Sequence, residues 1–156
     1  MSSDAPGFEL PLRLLLAFRA LIDELHAELS RQGHPDIRPM HGFVMQAIGP
    51  QGTTAVELGR VLGVSKQAAG KTIETLERIG YVERAADPRD TRRKIVRLTP
   101  YGMDALRRSA HIFETLRARW AAELGADRLR ALEADLRKVT PGNPWRLDMP
   151  GWFGSL

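Results

Sequence analysis

The stretch from residue 53 to residue 99 constrains the chain most, because two short helical patterns, a glycine turn and a basic hairpin follow one another with no spacer between them. Thr54 followed three residues on by Glu57 predicts a helix start of the capping-box type, in which hydroxyl and carboxylate each satisfy an orphan backbone amide. Val56, Leu58, Val61 and Leu62 give this helix an apolar side, and Gly63 supplies the left-handed residue that ends it. Ser65 then caps a second helix, in which Ala69, Ile73, Leu76 and Ile79 recur at helical spacing up to a stop at Gly80. Two helices around a glycine turn predict a helix-turn-helix.

The outer face of the second helix carries Lys66, Gln67, Gly70, Lys71 and Thr72 after its cap Ser65. In a helix-turn-helix this N-terminal end meets base edges in the major groove. Lysine donates to guanine, glutamine pairs with adenine, and threonine bonds a base edge or touches a thymine methyl. Gly70 costs roughly 1 kcal/mol in a helix interior. Two readings fit it: close approach of the backbone to DNA, or close packing of the two helices.

Beyond Gly80 the period becomes that of strands, with residues 81–84 on one arm and 95–98 on the other. Between them lie Asp87, Pro88, Arg89, Asp90, Thr91, Arg92, Arg93 and Lys94, a turn in which four of eight residues are cationic. Such a tip suits a narrow minor groove, whose negative potential attracts arginine, and Arg92 is the first choice to enter it. An ordinary solvated hairpin is the bland alternative.

These residues resemble the winged helix of the MarR family of bacterial transcriptional regulators. The resemblance rests on Glu57-Leu58-Gly59, Val64-Ser65, the run 76–84, the run 87–92 and Leu98-Thr99-Pro100-Tyr101-Gly102. It implies a homodimer on a pseudo-palindromic operator in double-stranded DNA, often a repressor released by a small molecule. It also implies that the face 65–72 reads the major groove, that Arg92 enters the minor groove, and that Asp90 orients the neighbouring wing arginines; Thr54 is a further DNA-binding candidate. The expected fold is mainly α (α+β): a winged helix-turn-helix at about 39–99, with dimerisation helices at about 10–31 and 100–139, in one domain with a tail at 140–156.

The flanking patterns agree with a dimer platform. From 10 to 31, the residues Leu12, Leu15, Leu16, Phe18, Leu21, Ile22, Leu25 and Leu29 predict a helix apolar over most of its first half, more surface than one neighbour covers. A second subunit would cover it across a two-fold interface; a monomeric core helix is the alternative. A helix from Pro39 should bury Phe43, Val44, Ala47 and Ile48. Thr99-Pro100 opens a long helix to Gly125, and Asp127 is expected to cap a last one with Leu129, Leu132, Leu136 and Val139 as its buried stripe. The arginines of these helices alternate with acids and predict a solvated face. In the tail, Trp145, Trp152 and Phe153 predict irregular structure docked on the body or on the partner.

A family-type pocket for a small aromatic or phenolic effector is expected near the start of the 39–48 helix, with Ile22, His26, His41 and Met45 as candidate walls; ordinary packing explains each equally well. The net charge of +4 permits a nucleic-acid partner without requiring one. Absence of cysteine excludes disulfides, thiolate zinc sites and thiol-based sensing. No phosphate loop, nucleophile elbow or His-Glu-x-x-His motif is present, so no enzyme, metal or cofactor is expected; a zinc site assembled from His41 and His111 is the one alternative. Without a leader or an apolar run of the ~20 residues a bilayer needs, no membrane contact is expected and the protein should be cytoplasmic. Two rivals to a DNA reader are a winged-helix module for protein partners, which would carry acidic or apolar groups where lysines and arginines stand, and a cytosolic small-molecule binder without an operator.

Overall fold

The computed structural model describes residues 5–142. Their elements run α1 (Glu9–Arg31), α2 (Pro39–Ile48), α3 (Ala55–Leu62), α4 (Lys66–Arg78), β1 (Val82–Asp87), β2 (Asp90–Leu98), α5 (Pro100–Leu124) and α6 (Ala126–Val139). The expected tail structure around Trp145, Trp152 and Phe153 lies outside the described residues.

Local chemistry sets most of the boundaries. Thr54 Oγ1 accepts from the Glu57 N–H, Ser65 Oγ from the Ala68 N–H, and Thr99 Oγ1 from the Gly102 N–H, so α3, α4 and α5 each start on a side-chain cap. The reciprocal half of the capping box at Thr54 is not made, because the Glu57 carboxylate takes the Arg60 guanidinium at 2.6 Å instead. Gly63, at φ 71° and ψ 29°, ends α3 in the left-handed region. Gly59 allows the α3–α4 turn to close: a Cβ there would lie 2.9 Å from the Val64 carbonyl oxygen.

β1 and β2 form an antiparallel hairpin pairing Val82 with Leu98 and Ala86 with Lys94, and the register shifts between Ala86 and Asp87. The turn is tighter than the sequence predicts. Only Pro88 and Arg89 separate the strands, so Thr91, Arg92, Arg93 and Lys94 sit on β2 itself. Thr53 bridges Val96 from the other side and docks the start of α3 onto the wing.

One apolar core runs through the described residues, from Ile22, Leu25 and Leu29 of α1 through Val44, Met45 and Ile48 of α2 to Leu58, Ile73 and Leu76 of the helix-turn-helix and Ala105, Ile112 and Leu116 of α5. In α2 the fully buried positions are Val44, Met45 and Ile48, while Phe43 and Ala47 are half-buried. Two expectations for α6 fail. Gly125 at φ 96° precedes it with no side-chain cap, and Asp127 stands inside the first turn paired with Arg130. Of its expected stripe only Leu129 is buried; Leu132 and Val139 are exposed. The first half of α1 is likewise uncovered, with Leu10, Leu12, Leu14, Leu15, Leu16 and Phe18 all exposed. No helix among the described residues is long and apolar enough to cross a membrane.

Candidate nucleic-acid interface

The α4 N-terminus and the hairpin together present the cations. Lys66, Gln67 and Lys71 are exposed, and Gly70 and Thr72 are half-buried on the same helix. Neither lysine has an ion-pair partner among the described residues, so both charges are available to an anion. Ser65 spends its oxygen on the cap, and the Thr72 hydroxyl donates back to the Ala68 carbonyl at 3.2 Å, leaving each with spare acceptor or donor capacity only at the helix surface. Gly70 settles one of its two readings. Nothing lies within 4 Å of a Cβ built there, so it does not serve helix packing; Gly59 does.

At the wing, Asp87 Oδ1 accepts the Arg89 N–H at 2.9 Å and shapes the turn. Asp90 Oδ1 accepts from both the Arg92 backbone N–H and its Nε, at 3.1 and 3.3 Å. The Arg92 side chain is nonetheless 91% exposed, so the contact aims the guanidinium without covering it. Alternation along β2 splits the remaining charges: Arg92 and Lys94 share one face, Thr91 and Arg93 the other. Arg93 and Arg89 line a polar cleft of about 460 Å³ with Gln51, Thr53, Thr54 and Glu57. Thr54 thus lines the same cleft as the wing arginines Arg89 and Arg93, a grouping that sequence spacing does not reveal.

A second feature lies beneath this head. Ile22, Leu25 and His26 of α1, Ile37, Pro39 and Phe43 around the α2 start, and Leu106, Ser109 and Phe113 of α5 enclose a cavity of about 220 Å³. Its wall is apolar save for Gln46, Ser109 and His26, and both His26 ring nitrogens are buried without a hydrogen-bond partner. Burial pushes the His26 imidazole down from its ordinary pKa. Of the four candidate walls, Ile22 and His26 line this cavity and the other two do not. Met45 is fully buried in the core, and the His41 Nδ1 accepts the Arg38 N–H at the entry to α2. Burial, and then the Arg38 charge, push the His41 imidazole down as well. No group of three or more His, Cys, Asp or Glu side chains that could hold a metal ion occurs among the described residues.

Sequence reasoning missed His34, which looks like a helix breaker beside Pro35 but is a buried side chain between Tyr81 and Asp104. No spacing in the sequence links positions 34, 81 and 104.

A reading helix behind a left-handed glycine turn, followed by a two-stranded cationic wing, defines a winged helix-turn-helix protein. Residues 36–93 match the family model described as MarR family. Wild-type MarR from E. coli in its apo form is 28% identical, with 88% of this chain and 98% of that one covered and a TM-score of 0.63. FabT from Streptococcus pneumoniae, solved in complex with DNA, is 18% identical over 86% of this chain and 94% of that one, at a TM-score of 0.71. MepR from S. aureus bound to ethidium bromide is 20% identical over 88% and 96%, at 0.59. The last two likenesses are of fold alone. No curated protein matches the chain.

Proposed function

We propose that the chain is a non-enzymatic, cytoplasmic, sequence-specific DNA-binding repressor that acts as a homodimer on a pseudo-palindromic operator in double-stranded DNA and is released by a small apolar effector. The observation that carries the reading is the pairing of exposed cations: Lys66 and Lys71 on the α4 N-terminal face stand with Arg89, Arg92, Arg93 and Lys94 on the adjoining hairpin. Acidic or apolar groups there would have favoured a protein partner. In this reading Ser65, Lys66, Gln67, Gly70, Lys71 and Thr72 face the major groove. Arg92, aimed by Asp90, enters the minor groove, while Thr54, Arg89, Thr91, Arg93 and Lys94 hold phosphates. FabT, a protein of the same fold, was solved in complex with DNA, which supports a DNA partner.

The winged helix at about 39–99 is the reading unit, and the helices at about 10–31 and 100–139 are the platform. The exposed apolar half of α1 and the uncovered Leu132 and Val139 of α6 support a partner copy there. The cavity between α1, α2 and α5 supports an effector, as does the ethidium complex of MepR. Ile22 and His26 would touch that effector, and His41 and Met45 would act only by shaping the α2 entry.

The test is a titration of duplex DNA fragments across a salt series. Affinity should fall by about 10³-fold or more between roughly 50 and 200 mM salt, as it does when several phosphates are neutralised. Lys71→Ala should lower the slope by about one. Binding that ignores salt would remove the proposal.

A further inference from the structure

His34 is 1% exposed and belongs neither to the cationic face nor to the cavity wall. Its Nδ1 stands 2.9 Å from the Tyr81 hydroxyl and its Nε2 2.8 Å from Asp104 Oδ2, which ties together residues 47 and 70 positions away. The Asp104 carboxyl is held below the usual carboxylate range by Arg108 first and His34 second, so it is ionised and only accepts. Nε2 therefore donates to Asp104, and in the neutral imidazole Nδ1 accepts the Tyr81 O–H. Around this pair the network closes: Arg108 bridges Asp104 and the Gln32 side chain, and the Tyr101 hydroxyl donates to the Gly33 carbonyl at 2.6 Å. The Tyr101 ring stacks on His34 and on Tyr81, with centroids 4.5 and 4.6 Å apart.

Tyr81 is the point at which this network grips the reading helix. Its N–H donates to the Leu76 carbonyl and closes the end of α4, while its own carbonyl accepts the Thr99 N–H at 3.1 Å. Gly102 of α5 approaches so closely that a Cβ there would lie 2.2 Å from the Tyr81 oxygen. Apolar packing is non-directional and holds helices together at more than one angle; hydrogen bonds from one imidazole to two fixed partners select one.

We infer that His34 is a positioning residue for DNA reading: with Tyr81 and Asp104 it fixes the angle at which α4 leaves the platform of α1 and α5. The inference rests on the proposed DNA-reading dimer, in which that angle sets the spacing of the two reading helices. The residues that touch DNA and those that line the cavity are all elsewhere.

The chain lacks cysteine, so a pair of introduced ones reports one distance without background. Ala27→Cys on α1 and Glu74→Cys on α4 are both exposed and outside the proposed interface. The full chain carrying this pair is spin-labelled and mixed with excess unlabelled protein, and the distance distribution is compared with and without Tyr81→Phe, which removes one hydroxyl and keeps the ring stack. His34→Leu is run in parallel, and thermal unfolding is followed for both. A narrow parental distribution should broaden by about twofold in the folded Tyr81→Phe protein as directional restraint is lost. On a selected operator the same variant should tolerate a one-base-pair change in half-site spacing that the parent rejects. Distance and spacing profiles that superpose on the parent's would overturn the inference. The distance measurement needs no DNA, so it decides the inference even if no operator binds, and unchanged distances with tight operator binding leave DNA reading intact.

Discussion

Two glycines one helix apart face opposite demands. Gly59 → Ala drives a methyl to 2.9 Å from the Val64 carbonyl and 3.3 Å from that of Ser65, both backbone atoms of the turn, and should destabilise the fold by about 1–3 kcal/mol. Gly70→Ala meets nothing and should raise stability by roughly 1 kcal/mol through helix propensity alone. If the glycine serves close DNA approach, Gly70→Ala melts higher yet binds operator more weakly; a melting curve and one DNA titration on the same sample check both. Arg92→Ala should leave the unfolding free energy within about 0.5 kcal/mol of the parent, since so exposed a side chain has little packing to lose, while operator affinity falls. His26→Phe removes two orphaned ring nitrogens and should stabilise by about 1 kcal/mol. The sign of its pH effect follows from the lowered imidazole pKa. The unfolded chain takes up a proton first, so the parent loses stability as pH falls below the ordinary histidine value, and denaturant unfolding of the variant should show a flatter profile there.

At the scale of elements, α3, α4 and α5 were legible because each opens on a hydroxyl cap that acts within three residues of itself. The α6 cap was misread for the complementary reason. Gly125 adopts φ 96° and carries the chain into the helix without help from Asp127, and propensity at the aspartate does not report the backbone angle of its neighbour. The cavity and the His34 cluster were illegible from any local pattern: the cavity walls come from α1, the α2 entry and α5, the cluster joins His34 to Tyr81 after α4 and Asp104 of α5, and contacts across 47 or 70 residues leave no period in a sequence. Asp104→Asn tests the junction of these elements. A carboxyl whose folded pKa is depressed contributes stability above its unfolded value and loses it as pH falls through the folded one. Acid unfolding of the parent should therefore steepen below about pH 4, near the ordinary aspartate pKa, and the asparagine variant should lack that part of the decline.

For the molecule as a whole, the proposed dimer rests on the uncovered apolar surface. Leu10, Leu12, Leu14, Leu15, Leu16 and Phe18 stand exposed on one helix, and burying each such side chain is worth roughly 1.5–3 kcal/mol. Leu15→Glu should convert the protein to monomers in light scattering. It should also weaken operator binding far more than half-site binding, because the second reading helix is lost. In the proposed dimer, two heads held at one separation would make a distinctive demand on DNA. Selection from random duplexes tests that demand most directly: the account predicts enrichment of inverted half-sites with centres about one helical turn apart, roughly 10–10.5 base pairs, each bound by two chains. Enrichment of a single half-site held by one chain, or no enrichment at all, would contradict it.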